Sequence, residues 1–172
     1  LSSVVALMAA LTALISANTA QAAPVTWDGG TDMNWDQPDS TSWSGGTYNS
    51  GDPAQYFGAG LGTVNVTAGG VTPGATTANA AGDYTFSGGA IGGLGGLTKA
   101  GAGTLALTGA NTYTGSTTIN GGTLQIGGAG YIGSSYAGAI SLNNAALVFS
   151  STAADQHLSG LISGSGGTLT FA

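Results

Sequence analysis

Thr117-Thr118-Ile119-Asn120-Gly121-Gly122-Thr123-Leu124-Gln125-Ile126 and Ile140-Ser141-Leu142-Asn143-Asn144-Ala145-Ala146-Leu147-Val148-Phe149 align without a gap. Each reads as a short strand, a tight Asn/Gly turn and a second strand. Working outward, the second strand recurs as a small residue, an apolar residue, any residue, an apolar residue and another small one. The copies are Thr63–Thr67, Asp83–Ser87, Thr104–Thr108, Thr123–Gly127, Ala146–Ser150 and Thr168–Ala172. Their first apolar residues are Val64, Tyr84, Leu105, Leu124, Leu147 and Leu169, spaced by 20, 21, 19, 23 and 22 residues. Ala100-Gly101-Ala102-Gly103 takes the place of Ile119-Asn120-Gly121-Gly122, and Gly164-Ser165-Gly166-Gly167 does the same downstream.

Strict alternation over four or five residues makes a strand with one apolar face. One such strand cannot bury that face, but stacking one copy per coil makes a continuous core. The expected fold is therefore all-β: a parallel β-helix (solenoid) of about six rungs of 19–23 residues, preceded by a signal helix. Leu105, Leu107, Leu124, Ile126, Leu147 and Phe149 are the expected inward stacks. A leucine-rich repeat has a similar period, but its Leu-x-x-Leu-x-Leu pattern and helical return are missing. Asn120-Gly121 and Asn143-Asn144 fall at equivalent turns, where Asn and Gly tolerate positive φ. Their stacked side chains could form a hydrogen-bonded ladder; ordinary solvated turns are the alternative.

Composition narrows the function. The 172 residues include 33 Gly and no Cys, and the charged residues are one Lys and seven Asp, for a net charge of −6. With Lys99 as the only fixed cation there is no basic patch for phosphates, which excludes nucleic acid and disfavours anionic lipid. Without Cys there is no disulfide framework, so stability must come from repeated pairing and packing.

Val4 to Ile15 is apolar but short for a bilayer span. Ala20-Gln21-Ala22 fits the small-x-small cleavage rule. Residues 1–22 are therefore read as a signal peptide, although the basic n-region is missing and the sequence begins without Met. Residues 23–58 form a Trp/Asp-rich lead-in and cap, and 59–172 the solenoid. An uncapped last rung at Ala172 leads us to expect that the chain continues into a longer one.

The stretch from Gly95 to Gly127 carries Gly96-Leu97-Thr98-Lys99-Ala100-Gly101-Ala102-Gly103-Thr104-Leu105 and Asn111-Thr112-Tyr113-Thr114-Gly115-Ser116-Thr117-Thr118-Ile119-Asn120. Those blocks closely resemble the autotransporter-associated β-strand repeat, with its core here at 95–127. The resemblance implies a right-handed parallel β-helix in a bacterial surface or secreted passenger protein. Ser159 to Ala172 looks like the start of a second copy. Trp27-Asp28-Gly29-Gly30, Asn34-Trp35 and Trp43-Ser44-Gly45-Gly46 resemble the Trp-rich lead-in that precedes such repeats in large exported proteins.

The search for chemistry returns little. Asp28, Asp32, Asp36, Asp39 and Asp52 are clustered in sequence. Asp32-Met33-Asn34-Trp35-Asp36 supplies three oxygen-ligand positions of a calcium loop, but Gln37 stands where the loop needs Gly and Trp43 where it needs Glu. An EF-hand is rejected; a weaker calcium site is weighed against solvated turn carboxylates, and the turn reading is taken. Trp27, Trp35 and Trp43 recur every eight residues. They suit either sugar stacking or a hydrophobic cap in which each indole N–H finds a partner, and the cap is preferred. Asp155 and His157 are the one His–carboxylate pair, with Ser151, Ser159 and Ser163 nearby, yet no strained nucleophile turn accompanies them. Asp83 and Lys99 fall at the edges of neighbouring rungs, where a weak ion pair is expected. No catalytic, cofactor-binding or metal residue is assigned, and no enzyme activity is expected.

The expected function is an exported structural or adhesive segment, a stiff β-helical spacer presenting other regions. The alternative is a carbohydrate-binding or polysaccharide-active β-helix using its Trp-rich region. Expected partners are surface glycans or host and other cell surfaces, with no nucleic acid and no membrane insertion of this segment.

Overall fold

In the computed structural model, residues 21–30, 32–39, 41–133, 135–152 and 156–172 are described. The expected leader over 1–22 lies almost wholly outside them. Fifteen strands follow one another: β1 (Val25–Trp27), β2 (Asn34–Trp35), β3 (Trp43–Ser44), β4 (Pro53–Tyr56), β5 (Gly62–Val66), β6 (Ala75–Asn79), β7 (Tyr84–Gly88) and β8 (Leu97–Ala100). The remainder are β9 (Thr104–Leu107), β10 (Thr117–Ile119), β11 (Thr123–Gly128), β12 (Ile140–Asn143), β13 (Ala146–Ser151), β14 (Ile162–Ser165) and β15 (Thr168–Phe171). From β4 onward the chain alternates between two sheets. One is ordered β14-β12-β10-β8-β6-β4-β1-β3 and the other β15-β13-β11-β9-β7-β5-β2. All pairings within them are parallel except β1 with β3. The six rungs expected from sequence are β5, β7, β9, β11, β13 and β15, about five turns of parallel β-solenoid from first to last.

The register of the two aligned blocks is the one their sequences give. Thr117 pairs with Ile140 and Ile119 with Leu142, while Thr123 pairs with Ala146 and Ile126 with Phe149. Burial alternates along β6 to β10 and along β12, and Leu105, Leu107, Leu124, Ile126 and Leu147 are fully enclosed, with Phe149 nearly so. Two registers differ from the sequence alignment. At the first rung, Val64 lies opposite Phe86, and Gly62 lies opposite Tyr84. A slip of two residues keeps every side chain on its own face, so alternation cannot detect it. At the β8 corner, Ile119 lies opposite Lys99 and not Ala100, because the turn before β9 holds one more residue than the next.

The lead-in joins the same sheets. β1 pairs with β4, and β2 adds a partial rung beneath β5 by placing Trp35 opposite Val66. β3 then runs antiparallel along β1 and lies at the end of its sheet. Between the sheets, longer connections are held by single bridges, Val71 to Ile91, Ala110 to Tyr131 and Tyr136 to Leu158. In the second of these, Asn111 is buried; its side chain accepts from the Ile91 N–H at 3.0 Å and donates to the Gly109 carbonyl at 3.0 Å. A neighbouring corner needs glycine for closeness: a Cβ on Gly115 would sit 2.5 Å from the Gly95 backbone.

Candidate functional site

The aromatic end of the solenoid is a core and not a surface. Trp27 and Trp35 have no exposed area and Trp43 has 5%. Trp27 meets Trp43 edge-on at 5.2 Å, Trp43 stacks on Tyr48 at 4.9 Å, and Trp35 packs against Phe86 at 5.4 Å. Tyr56 links this group to Phe86 at 4.6 Å. The cap reading stands in its packing, but not in its hydrogen bonds. The indole N–H groups of Trp27 and Trp43 have no partner among the described residues, and that of Trp35 lies beside the Tyr48 hydroxyl outside hydrogen-bond geometry. Packing outweighs that loss: an enclosed indole gains about 4–6 kcal/mol from its area, against about 1–3 kcal/mol for an unsatisfied donor. A sugar-stacking platform built from these three indoles is therefore not on the surface.

The neighbouring carboxylates work as turn acceptors. Asp28 accepts from the Gly30 N–H at 3.0 Å and Asp32 from the Asn34 N–H at 3.1 Å. Asp39, nearly buried, accepts from the Thr41 N–H at 2.8 Å and its hydroxyl at 3.0 Å, and Asp52 from the Asn49 N–H at 2.8 Å. The Asn34 N–H holds the Asp32 carboxyl below its ordinary range. Burial, then the charges of Asp39 and Asp32, push the Asp36 carboxyl up. No group of three metal-ligating side chains is placed to hold an ion among the described residues.

Lys99 departs from its expected place. It is 2% exposed and points inward, in the row Ala78–Lys99–Ile119–Leu142. Its ammonium donates to the carbonyls of Ala100 at 2.8 Å, Gly101 at 2.9 Å and Gly121 at 3.1 Å. Burial holds it below the usual lysine range, with the Asp83 charge opposing the shift. The expected Asp83–Lys99 ion pair does not form; Asp83 instead accepts from the Thr104 N–H at 2.6 Å. The missed signal was the corner length, since one extra residue turns Lys99 from edge to interior.

His157 is exposed, its carbonyl accepting from the Tyr136 N–H at 2.8 Å, and Asp155 lies outside the described residues. The Ser151 hydroxyl donates to the Gly130 carbonyl at 2.6 Å and the Ser159 hydroxyl to the Tyr136 carbonyl at 3.4 Å. Ser163 lies on the exposed β14. A shallow cavity of about 260 Å³ sits at that end, between Leu142, Ile162 and Leu169, and no titratable side chain lines it. Sequence reasoning did not single out the buried trio of Tyr113, Thr117 and Tyr136. The Thr117 hydroxyl lies 2.9 Å from that of Tyr113 and 2.8 Å from that of Tyr136, tying two connections to β10.

The broad outward surface is the β4–β14 side of the first sheet. Thr77, Thr98, Thr118, Ser141 and Ser163 occupy one outward row on consecutive strands. Their hydroxyls make no hydrogen bond to the chain among the described residues. Beside them run Asn79, Ala100, Asn120, Asn143 and Ser165, where the Asn143 amide donates to the Asn120 side chain at 2.9 Å. The expected Asn ladder thus exists at that step. The other sheet's outward row is mixed, Thr63, Thr85, Ala106, Gln125, Val148 and Thr170.

Residues 97–126, from the start of β8 into β11, match the family model described as the passenger-associated transport repeat. No curated protein and no solved structure matches the chain.

Proposed function

We propose that this chain, an autotransporter passenger-like β-helix repeat protein, acts as an exported structural or adhesive segment: a stiff rod that holds other regions away from a cell surface. The observation that carries this reading is the matched repeat lying inside an unbroken parallel ladder. Every rung there buries its apolar face on the rungs before and after it. Such a ladder resists bending because each strand is hydrogen-bonded along its length to two neighbours. A surface of Thr, Ser and Asn, with the one lysine buried, offers no exposed cation to anionic partners. The Asp carboxylates serve turns, which favours a scaffold over a reaction centre. The test is labelling of intact, unpermeabilised cells with an antibody against this chain. Surface labelling is expected; labelling only after permeabilisation would overturn the export reading.

A second reading, contact with neutral glycans, is favoured by the row from Thr77 to Ser163. Its five unpaired hydroxyls extend over about 19 Å at ~4.8 Å per strand. The whole chain would be retained on neutral polysaccharide and not on polygalacturonate. A Thr98→Val, Thr118→Val double variant keeps strand-forming side chains and should lose retention. Undiminished retention would remove this face from the reading.

A further inference from the structure

The inward rows mark the length of each corner from the first sheet to the second. Tyr56, Ala78, Lys99, Ile119, Leu142 and Gly164 form the last inward row of the first-sheet strands. Gly62, Tyr84, Leu105, Leu124, Leu147 and Leu169 form the first inward row of the second-sheet strands. Five residues separate Tyr56 from Gly62, Ala78 from Tyr84 and Lys99 from Leu105. Four separate Ile119 from Leu124, Leu142 from Leu147 and Gly164 from Leu169. The solenoid therefore has three wide corners followed by three narrow ones, and Lys99 closes the last wide corner. Its ammonium has three N–H groups and meets three carbonyls: two in its own wide corner, Ala100 and Gly101, and one in the first narrow corner, Gly121.

We infer that Lys99 is the joint between two stretches of solenoid with different cross-sections. Where corner lengths match, main-chain amides and carbonyls can pair rung on rung. At the step from wide to narrow, carbonyls are left out of register, and a long flexible donor bridges them. The aliphatic stem fills the space between Ala78 and Ile119 while the charge is satisfied at the corner. An apolar residue would fill the same space without tying the two corners. Lys99 is thus a positioning residue for the rungs after it, and this reading stands whatever the rod presents.

The experiment is hydrogen exchange on the whole chain and on Lys99→Met and Lys99→Arg variants. The amides of Asn120, which bonds the Lys99 carbonyl, and Thr123, which bonds that of Gly103, report on the step. In Lys99→Met these should exchange about 10-fold faster, while amides in β5 and β13 keep their rates. Equal acceleration throughout, or none, would overturn the inference. Should Lys99→Met fail to fold, a folded Lys99→Arg supports the charged joint. Failure of both would show that side-chain volume at 99 matters and not the tie, and would overturn it.

Discussion

Leu124 lies between Leu105 and Leu147 in the inward stack and has no exposed surface. Leu124→Ala removes a side chain that rungs on both sides hold in place, so the cavity cannot collapse; a loss of about 2–5 kcal/mol is expected. Leu124→Asp adds an unpaired charge and should abolish the cooperative melt of the neighbouring rungs. Chemical denaturation followed by far-ultraviolet circular dichroism checks both, and an unchanged midpoint would contradict the stack. Tyrosines make a separate statement about pH. Burial raises the phenols of Tyr48, Tyr56, Tyr84, Tyr113 and Tyr136 above their ordinary value. A phenol raised in the folded state contributes stability that is complete below the unfolded value of about 10 and is lost as pH rises above it. Lys99, depressed by burial, has the opposite sign, so its burial cost is relieved as pH rises, but it is one group against five. Strand signal should therefore disappear as tyrosinate absorbance appears, starting above pH ~10. Tyrosines titrating normally in a chain that keeps its strands would contradict their burial. At this scale the inward Leu and Ile residues were legible from alternation alone. Lys99 was not, because its direction depends on one residue of corner length that alternation does not measure.

Among the elements, the lead-in behaves as the first coil of the solenoid. β1 and β2 take one place in each sheet, and β3 folds back antiparallel to cover the β1 edge. An antiparallel strand at that position interrupts the parallel template and blunts the edge against further pairing. Trp27, Trp35 and Trp43, all enclosed at this end, should be shielded from acrylamide in the folded chain and become accessible on unfolding. Quenching as efficient in the native chain as in urea would remove the cap. The buried corner network yields a second expectation. The Tyr136 hydroxyl donates to the Gly115 carbonyl and shares the Thr117 hydroxyl. Tyr136→Phe leaves both without that partner and should cost about 1–3 kcal/mol, measured by denaturation; a change below a few tenths would mean the bonds carry nothing. The place of the tryptophans just before the first rung favoured a cap, and the Asn-Thr-Tyr-Thr-Gly block pointed to a repeat. Neither could show that Thr117, on a strand, joins tyrosines from the connections before and after it.

At the largest scale, the two ends of the described coils differ. Its aromatic end is closed, whereas at the other end β14 and β15 are the outermost strands of their sheets. Leu161 and Phe171 there are 72% and 69% exposed. Exposed apolar residues on unpaired parallel edges are a template for further strands. This segment by itself should associate in a concentration-dependent way, and Leu169→Lys with Phe171→Lys should make it monomeric in analytical ultracentrifugation. Association that survives both changes would place the contact elsewhere. The sequence by itself determined the all-β class, the coil period, the inward stacks from Leu105 to Phe149 and the lack of a basic patch. Those properties follow from residue type repeated at a fixed interval, and stacking multiplies each one. Only the tertiary structure decided the two-residue slip of the first rung, the change from wide to narrow corners and the burial of Lys99. The reason is that alternation has a period of two and carries no information about slips of two, while corner length is set by how successive main chains meet in space. The fate of the indoles was likewise settled there, because a tryptophan every eight residues is compatible with a platform or a core until the rings that surround it are known.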